Sequence, residues 1–377
     1  MNRILDFYRE HGISPVHQDI SDFSHHCARR EKLYRQLGMP TVLFRKADVL
    51  EVGTGGGYNA AALAQWGCNL SMVEPNETAQ NEIMELFRER KIEEYVLCKE
   101  TIERHNGKAY DIVIAEGFLP TIENRIEVLD KLKSLVKESG VLVITCQDEM
   151  GMFVERMKRL AGHMAVQKIP LYQDKVAKLV KMFEPQLKFC HGMSRPAEDW
   201  VQDQLLCEDF NCEDVLDLEK AIRSMDDKWD VLGCSSPCFF SDYSWYKDVG
   251  YDYKKSYCEQ YVRKSYNLII AGREEIDTSN IDVSVVRKSV EKIRELEIAY
   301  ESLKHKEEKY IHEFICELQK LYERLKLNDK ELAAFLRETM EVLTCEPDRL
   351  DLNEYPNFCK CFGRSQQYIS FVKKRNY

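Results

Sequence analysis

Hydrophobic and polar positions follow two alternating patterns along residues 47–150. Short apolar runs rich in Val and Ile, among them 49–52 and 112–115, are bounded by glycine, proline or acidic residues. Segments with a helical spacing of apolar residues, such as 77–91 and 125–139, lie between most of these runs. Strands that alternate with helices predict a parallel sheet with helices on both faces, and near-continuous apolar strands suit a sheet that is buried on both sides.

The flanking regions predict a mostly helical surround for this sheet. Residues 1–45 have helical character and predict an N-terminal helical cap on a core at 46–150. Residues 151–230 predict a helical insertion that carries the substrate region. The predicted fold class is therefore α/β, with a Rossmann-like, doubly wound, mostly parallel sheet, N-terminal helices, a helical insertion and a C-terminal helical region.

The pattern changes twice more toward the end of the chain. Two apolar stretches, WDVLGCSSPCFF at 229–240 and SYNLIIAGR at 265–273, predict the final strands of the sheet, within residues 231–275. Residues 283–377 predict a C-terminal helical region that contains a long packed helix or a short antiparallel pair with one apolar stripe. The residues of that stripe recur every three or four positions and are Ile293, Leu296, Tyr300, Leu303, Tyr310, Phe314 and Leu321. That stripe must be buried, either on the same chain or in a homodimer formed through the C-terminal helices.

Composition and charge exclude several classes of protein. The chain has 377 residues, a net charge of −10 and a pI of about 5.6, which argues against a nonspecific nucleic-acid binder. It has no run of ~18 apolar residues and no signal-peptide core, so we expect no membrane span and a cytoplasmic location. Its 14 cysteines are scattered, which favours reduced thiols.

The stretch VLEVGTGGGYNAAALA at 49–64 carries the most specific signal. An apolar strand containing Glu51 runs into a glycine-rich turn and then directly into a helix. Such a turn presents backbone N–H groups and the positive end of a helix dipole to a ligand, and glycines allow its close approach. The dinucleotide template G-x-G-x-x-G fails because its third glycine falls on Tyr58, and the P-loop template fails because no lysine follows.

The acid before the glycines, in EVGTGGG, resembles motif I of the class I S-adenosylmethionine-dependent methyltransferases. Glu74 at the end of NLSMVEP, the segment CKETIE, and AEGF at the end of the fourth strand match later motifs of that family in order. The resemblance covers roughly residues 45–150. It implies that S-adenosylmethionine is the cofactor, that Glu74 lies by the ribose hydroxyls, and that Glu100 and Thr101 border the adenine. The implied cofactor-binding residues are Glu51, Gly53, Thr54, Gly55, Gly57, Asn59, Glu74, Pro75, Glu100, Thr101, Glu116, Gly117 and Phe118.

The acceptor substrate is less constrained by the sequence. The fourth strand ends in AEGFLP, without the (Asp/Asn)-Pro-Pro-(Tyr/Phe) turn of methyltransferases that act on nucleobases. Three segments combine aromatic and charged residues: 24–40, 192–204 and the residues around Trp245. Together they resemble methyltransferase-domain proteins of bacterial surface-polysaccharide biosynthesis. The candidate substrate-binding residues are Arg29, Arg30, Tyr34, Arg195, Asp199, Trp200, Trp245 and Tyr246.

The expected activity is methyl transfer to a small molecule or a glycan precursor, with O-methylation as the first choice. A hydroxyl acceptor needs a base, and the candidates are His25, His26 and His191. A divalent metal on Glu116 and Asp148 is a less favoured route, because the family's usual aspartate is glutamate at 116. The alternative function is a noncatalytic cofactor-binding scaffold whose C-terminal helix binds a partner. In either case we expect cofactor binding to survive removal of the chain after Leu327.

Overall fold

The computed structural model describes residues 3–14, 17–190, 192–193, 195–207, 214–241, 245–248, 250–251, 253–302, 308–347 and 349–375. The chain divides into two compact units. The sheet unit consists of residues 1–147, 214–262 and 366–377, and the helical unit consists of residues 148–213 and 263–365. Each unit is therefore built from separate stretches of the sequence.

Seven strands form one sheet in the sheet unit. They are β1 (Asp48–Val52), β2 (Asn69–Val73), β3 (Tyr95–Cys98), β4 (Tyr110–Ala115), β5 (Val136–Gln147), β6 (Trp229–Cys234) and β7 (Gln366–Lys373). Their order is β3-β2-β1-β4-β5-β7-β6. The first five are parallel, whereas β7 runs antiparallel to both β5 and β6. The α/β, doubly wound, mostly parallel fold predicted from the sequence is confirmed.

Helices account for most of the remaining described residues. They are α1 (Arg3–His11), α2 (Phe23–Gln36), α3 (Tyr58–Gln65), α4 (Glu77–Glu89), α5 (Arg125–Ser134), α6 (Glu149–Val166), α7 (Tyr172–Leu187), α8 (Ala197–Trp200), α9 (Leu218–Arg223), α10 (Tyr253–Lys264), α11 (Val283–Ser302), α12 (Glu308–Leu325), α13 (Lys330–Thr344) and α14 (Pro356–Lys360). A π-helix at Val201–Leu206 follows α8 directly. None of the described helices is both long and apolar enough to cross a bilayer.

The helical unit has its own apolar core, formed largely by α6, α7, α11, α12 and α13. The stripe predicted from residue 283 onward is part of that core: Ile293, Leu296, Phe314 and Leu321 are all buried. The stripe is divided among separate helices rather than carried by one, and Leu303 lies outside the described residues. Burial within the same unit removes the need for a second copy of the chain to cover it.

The predicted position of the last strand is wrong. Residues 265–273 form no strand; Ser265–Leu268 is a short 3₁₀ helix, and Ile269 is buried in the core of the helical unit. The last strand is β7, which lies between β5 and β6 in a region predicted to be helical. A short apolar run looks the same whether it belongs to a strand or to a buried helical segment, so its pattern alone could not place it.

Candidate functional site

The strand order places a crevice at the carboxyl end of β1. The strands on its two sides, β2 and β4, are reached by connections that run in opposite directions across the sheet. In open α/β sheets, ligands bind outside the carboxyl ends of the strands at such a point. The glycine turn, defined here as residues 53–57, begins there and ends directly before α3.

Three glycines shape this turn by adopting backbone conformations that other residues rarely reach. Gly53, Gly55 and Gly57 have φ values of +69°, +56° and +84°. A Cβ atom on Gly53 would also lie 2.6 Å from the ring of Phe118. The glycines therefore determine the conformation of the turn. The turn leads directly into the N-terminus of α3, where backbone N–H groups and the helix dipole favour a negatively charged ligand group.

Glu51 supplies a buried acid directly before the turn. Its side chain is 3% exposed, and its Oε2 atom has no hydrogen-bond partner among the described residues. Burial, together with the negative charges of Glu116 and Glu74, raises the pKa of Glu51 to about 8. A buried acceptor without a partner is costly, so this atom is poised to receive a cationic or hydrogen-donating ligand group.

Glu74 closes the turn from the end of β2. Its Oε2 accepts from the Gly55 N–H at 2.8 Å, and its Oε1 accepts from the Asn76 N–H at 2.9 Å. Burial raises the pKa of Glu74 to about 7, although these two N–H groups act in the opposite direction. The adjoining Pro75 carbonyl accepts from Arg9 at 3.3 Å. Glu74 thus holds the conformation of the turn and keeps lone pairs for a ligand.

Glu116, at the end of β4, lies at the centre of a buried polar cluster. Its Oε1 accepts from Arg30 Nη2 at 2.6 Å and from the Tyr34 hydroxyl at 2.9 Å, and its Oε2 accepts from Asn59 Nδ2 at 3.3 Å. Burial strongly raises the pKa of Tyr34, which stays a phenol. Asn59 Oδ1 has no partner among the described residues and so adds a second free acceptor near the turn. The Glu51 and Asn59 oxygens and the glycine turn fit a ligand with cationic donor groups, such as the amino-acid part of S-adenosylmethionine.

The remaining predicted cofactor residues surround the same edge of the sheet. The Gly117 N–H donates to Thr145 Oγ1 at 2.8 Å, which joins the end of β4 to β5. Thr54 is buried within the glycine turn. Glu100 Oε1 lies 2.9 Å from His105 Nδ1, and the Thr101 carbonyl accepts from the Arg104 N–H. The assignment of these residues to the cofactor stays a prediction.

Comparison with known families identifies the region that contains this site. Residues 25–197 match the sequence profile of a family described as "Methyltransferase domain". This part of the chain is therefore similar to methyltransferase domains. The sheet unit has the Rossmann-like α/β fold that the resemblance to class I S-adenosylmethionine-dependent methyltransferases implies.

Curated proteins similar to this chain match about a quarter of its length. The ubiquinone biosynthesis O-methyltransferase of Rickettsia bellii (strain OSU 85-389) is 30% identical over 98 residues, which cover 26% of this chain and 41% of the relative. The protein of the same name from Rickettsia typhi is 29% identical over 101 residues, again covering 26% of this chain and 41% of the relative. The match thus spans less than half the length of these curated relatives.

Two solved structures show similarity to parts of this chain. PKMT2 from Rickettsia typhi, in complex with AdoHcy, is 14% identical with a TM-score of 0.43, covering 62% of this chain and 49% of that one. The CcbJ methyltransferase from Streptomyces caelestis is 22% identical with a TM-score of 0.27, covering 29% of this chain and 47% of that one.

The histidines predicted as bases differ in their surroundings. His26 is buried; its Nε2 lies 3.0 Å from the Tyr58 carbonyl, and its Nδ1 lies 3.4 Å from Arg29 Nη2. A carbonyl can only accept, so Nε2 carries the proton and Nδ1 accepts from Arg29. Burial, with the charge of Arg30, lowers the pKa of His26 to about 4, which makes it a weak base. His25 is exposed, and His191 lies outside the described residues.

The predicted substrate residues do not form one group. Arg30 and Tyr34 are committed to Glu116. Trp245 and Tyr246, in the sheet unit, are 65% and 84% exposed, which leaves their rings available to a ligand.

Of the other four predicted substrate residues, Arg29 contacts His26 as described above, and three belong to the helical unit. Arg195 pairs with Asp203, and its Nη2 also donates to the Asp199 carbonyl at 3.4 Å. Trp200 is 5% exposed and packs against Phe183 and Phe362, so it is a core residue. The packing of Trp200 does not support a stacking role for this ring, and the other assignments stay predictions.

The metal alternative loses its open coordination sites. Both oxygens of Glu116 accept hydrogen bonds within the cluster described above. In the helical unit, Asp148 Oδ1 accepts from the Met150 and Gly151 N–H groups, and Oδ2 lies 3.1 Å from Arg287 Nη2. A hard cation prefers free carboxylate oxygens, so these contacts compete with metal binding.

Tyr368 is a residue that the sequence did not assign to the site, although its polar segment stood out. It lies on β7, and Arg30 and Glu116 both act on its hydroxyl electrostatically. Burial and the charge of Glu116 raise its pKa to about 12. The available signal was the cluster of polar residues at 364–368 directly before an apolar run. Only the pairing of β7 with β5 brings Tyr368 to the carboxyl edge of the sheet.

Proposed function

We propose that this chain is an S-adenosylmethionine-dependent methyltransferase that acts on a small molecule or a glycan precursor, with an oxygen atom as the acceptor. The observation that carries the proposal is the unpartnered, buried Glu51 Oε2 at the start of the glycine turn. A cationic ligand at this point would satisfy the acid, whose burial otherwise costs free energy. The family assignment of residues 25–197 supports a methyl donor as that ligand.

The chain's own residues would bind and orient the cofactor, which supplies a methyl group bound to a sulfonium ion. Glu51 and Asn59 offer acceptors to its ammonium group, and the glycine turn allows a close approach of its backbone. Glu74 offers lone pairs to ribose hydroxyls while it holds Gly55. Orientation of the two reactants can supply much of the rate enhancement in such a transfer.

An oxygen acceptor is supported by the curated relatives, which are named as O-methyltransferases of ubiquinone biosynthesis. The exposed rings of Trp245 and Tyr246, with Lys247 close to both, suit a sugar or another polyhydroxylated anion. His26 is a weak base, so the proton of a hydroxyl acceptor would be removed by His25, by His191 or by solvent.

We place this reaction in the cytoplasm, because the 14 cysteines are scattered along the chain and suit reduced thiols, which persist in a reducing compartment. The alternative of a noncatalytic scaffold depends on a C-terminal helix with a free apolar face. The described part of the stripe is instead buried in the helical unit. That burial favours the enzyme, and it also weakens the case for a homodimer through these helices.

Calorimetry with S-adenosylhomocysteine tests the cofactor site. Gly55→Val should weaken binding by at least about tenfold, because a branched residue strains this backbone and blocks the approach of the ligand. Gly67→Val is the matched control: Gly67 has a φ of +79° and no neighbour within 4 Å of an added Cβ. Equal affinities of the two variants, or no binding by the unaltered chain, would overturn the proposal.

Turnover separates the enzyme from the scaffold. The chain should release S-adenosylhomocysteine when it is incubated with the cofactor and a panel of sugar nucleotides, glycolipid intermediates and phenols. Cofactor binding without turnover across such a panel would favour the scaffold. Turnover of an amine panel alone would retain the methyltransferase and reject the oxygen acceptor.

A further inference from the structure

A group of potential metal ligands lies at the end of β3, outside the glycine turn. Cys98 is the last residue of β3, Glu100 follows two positions later, and His105 lies in the turn after it. The sulfur, a carboxylate oxygen and a ring nitrogen of these residues all lie within 4.8 Å of one another. Across the described ranges, no other three His, Cys, Asp or Glu side chains are grouped in this way.

The imidazole is the most enclosed member of the group. His105 is 4% exposed; its Nδ1 lies 2.9 Å from Glu100 Oε1, and its Nε2 is buried without a hydrogen-bond partner among the described residues. Cys98 and Glu100 are half-buried, so an ion can reach the group from solvent. Nδ1 is the ring nitrogen that faces Glu100, and Nε2 lies beside Gly107, so Nδ1 is the atom that His105 offers to an ion.

We propose that the loop after β3 binds a zinc ion through Cys98, Glu100 and His105, with water in the fourth position. A thiolate, an imidazole and a carboxylate form the mixed donor set that zinc accepts, with three protein ligands and one open position. Magnesium and calcium prefer oxygen donors, and this group offers oxygen from one side chain only. On binding, the ion replaces the thiol proton, which leaves to solvent.

The loop can close around an ion with small movements. Bonds of about 2.0–2.3 Å in a tetrahedral site put neighbouring ligand atoms about 3.3–3.8 Å apart. The Glu100 and His105 atoms must therefore separate slightly from their hydrogen-bonding distance of 2.9 Å, while the widest distance in the group, up to 4.8 Å, must shorten. All three ligands come from one continuous stretch of eight residues, 98–105, so loop closure costs little entropy.

A bound ion would also stabilise the edge of the cofactor crevice. The Cys98 carbonyl accepts from the Glu74 N–H at 3.1 Å, and Glu74 in turn holds the Gly55 N–H. The end of β3 is thus connected to the glycine turn through two successive hydrogen bonds. Zinc binding does not require the proposed methyl transfer, and each can be tested without the other.

Cobalt serves as a spectroscopic probe of the site. The full-length chain, reduced and stripped with a chelator, is titrated with Co²⁺ under anaerobic conditions. We expect a thiolate-to-cobalt charge-transfer band together with the visible bands of a tetrahedral ion, saturating at one equivalent and abolished by Zn²⁺. Cys98→Ser should remove the charge-transfer band, and His105→Gln should weaken Co²⁺ binding by at least about 100-fold, the upper range for loss of even an indirect partner.

Cys68→Ser is the matched control, because Cys68 is also half-buried in the sheet unit but donates to the Leu63 carbonyl and belongs to no ligand group. It should leave the Co²⁺ spectrum unchanged. Thermal unfolding with and without Zn²⁺ distinguishes a lost metal site from a misfolded variant. The ion should raise the Tm of the unaltered chain and of Cys68→Ser, but not that of Cys98→Ser. Absent tetrahedral bands, or equal loss in both cysteine variants, would show that Glu100 and His105 form only a hydrogen-bonded pair.

Discussion

The carboxylate of Glu74 accepts a hydrogen bond at 2.8 Å from the backbone N–H of Gly55, 19 residues earlier in the chain. This contact joins the end of β2 to the turn after β1. One side chain therefore both shapes the turn and offers lone pairs at the crevice. A loss of Glu74 removes both contributions together.

Glu74→Ala should weaken S-adenosylhomocysteine binding by at least about tenfold, because a charge-assisted hydrogen bond contributes roughly 1.5–3 kcal/mol. Calorimetry measures the loss. Glu77→Ala is the control, since Glu77 is a nearby acid at the first position of α4 with no part in the turn. If Glu74→Ala binds as tightly as Glu77→Ala, Glu74 does not serve the ligand site.

Glu51→Gln should weaken cofactor binding and should stabilise the folded chain at high pH. The pKa of Glu51 is about 8 in the folded chain, against an ordinary value of 4.5. The folded state therefore retains a proton that the unfolded chain has lost, and the native protein loses stability as pH rises from about 4.5 to about 8. Glutamine has no such proton, so the variant should match the native Tm near pH 5 and exceed it by a few degrees at pH 8.5.

Cofactor affinity should follow the ionisation of Glu51 in the opposite direction. A cationic ligand needs the ionised carboxylate, so affinity of the native chain should rise with pH until about 8, by at most about tenfold per pH unit. Glu51→Gln should bind weakly and without this rise. Parallel pH profiles for the two proteins, measured by calorimetry, would remove Glu51 from the binding site.

The pair of Arg30 and Glu116 should behave as a buried ion pair. Their side chains are 9% and 6% exposed. Arg30→Ala leaves a buried charge without its partner and should cost about 3–5 kcal/mol of unfolding free energy, whereas Arg30→Met with Glu116→Gln should recover most of that loss. Urea denaturation measures both. The pair of Arg223 and Glu219 is the control, because solvent screens the exposed Arg223 and Arg223→Ala should cost far less than Arg30→Ala. Equal costs at the two pairs would contradict the assignment.

Deletion of residues 366–377 should unfold the sheet unit and abolish S-adenosylhomocysteine binding. The deletion removes β7 and leaves the backbone groups of β5 and β6 unpaired. The same result is now expected for a cut after Leu327, because that cut also removes β7. Deletion of 375–377 is the control, since it spares every residue of the strand. Retention of binding by the longer deletion, measured with circular dichroism as a folding check, would show that β7 is dispensable.

The parallel core was predictable because its signals are local. The run ending in Glu51, the glycines after it and the acid at 74 lie within one short stretch, where periodicity and turn chemistry agree. Burial of the stripe at Ile293 and Leu296 was predictable for the same reason.

The contacts that complete the site were not predictable, because they join distant positions. Arg30 and Glu116 are 86 residues apart, and the local sequence around either residue does not indicate the other as its partner. Likewise, the pairing that carries Tyr368 to Thr145 depends on which edge strand is free when the chain returns. Several residues offered as substrate contacts, Trp200 among them, have compositions that suit a ligand and a core equally well.

The interleaving of the two units constrains the order in which the protein can assemble. The helical unit takes its last residue at 365, and β7 follows directly. On the ribosome, β5 and β6 are therefore synthesised long before the strand that separates them, and their edges stay open while the whole of 263–365 is made. Such late, long-range pairing slows folding and leaves strand edges with unpaired backbone N–H and C=O groups exposed. The edges of β5 and β6 in the nascent chain thus have to be protected from pairing with neighbouring chains until β7 has paired with both strands.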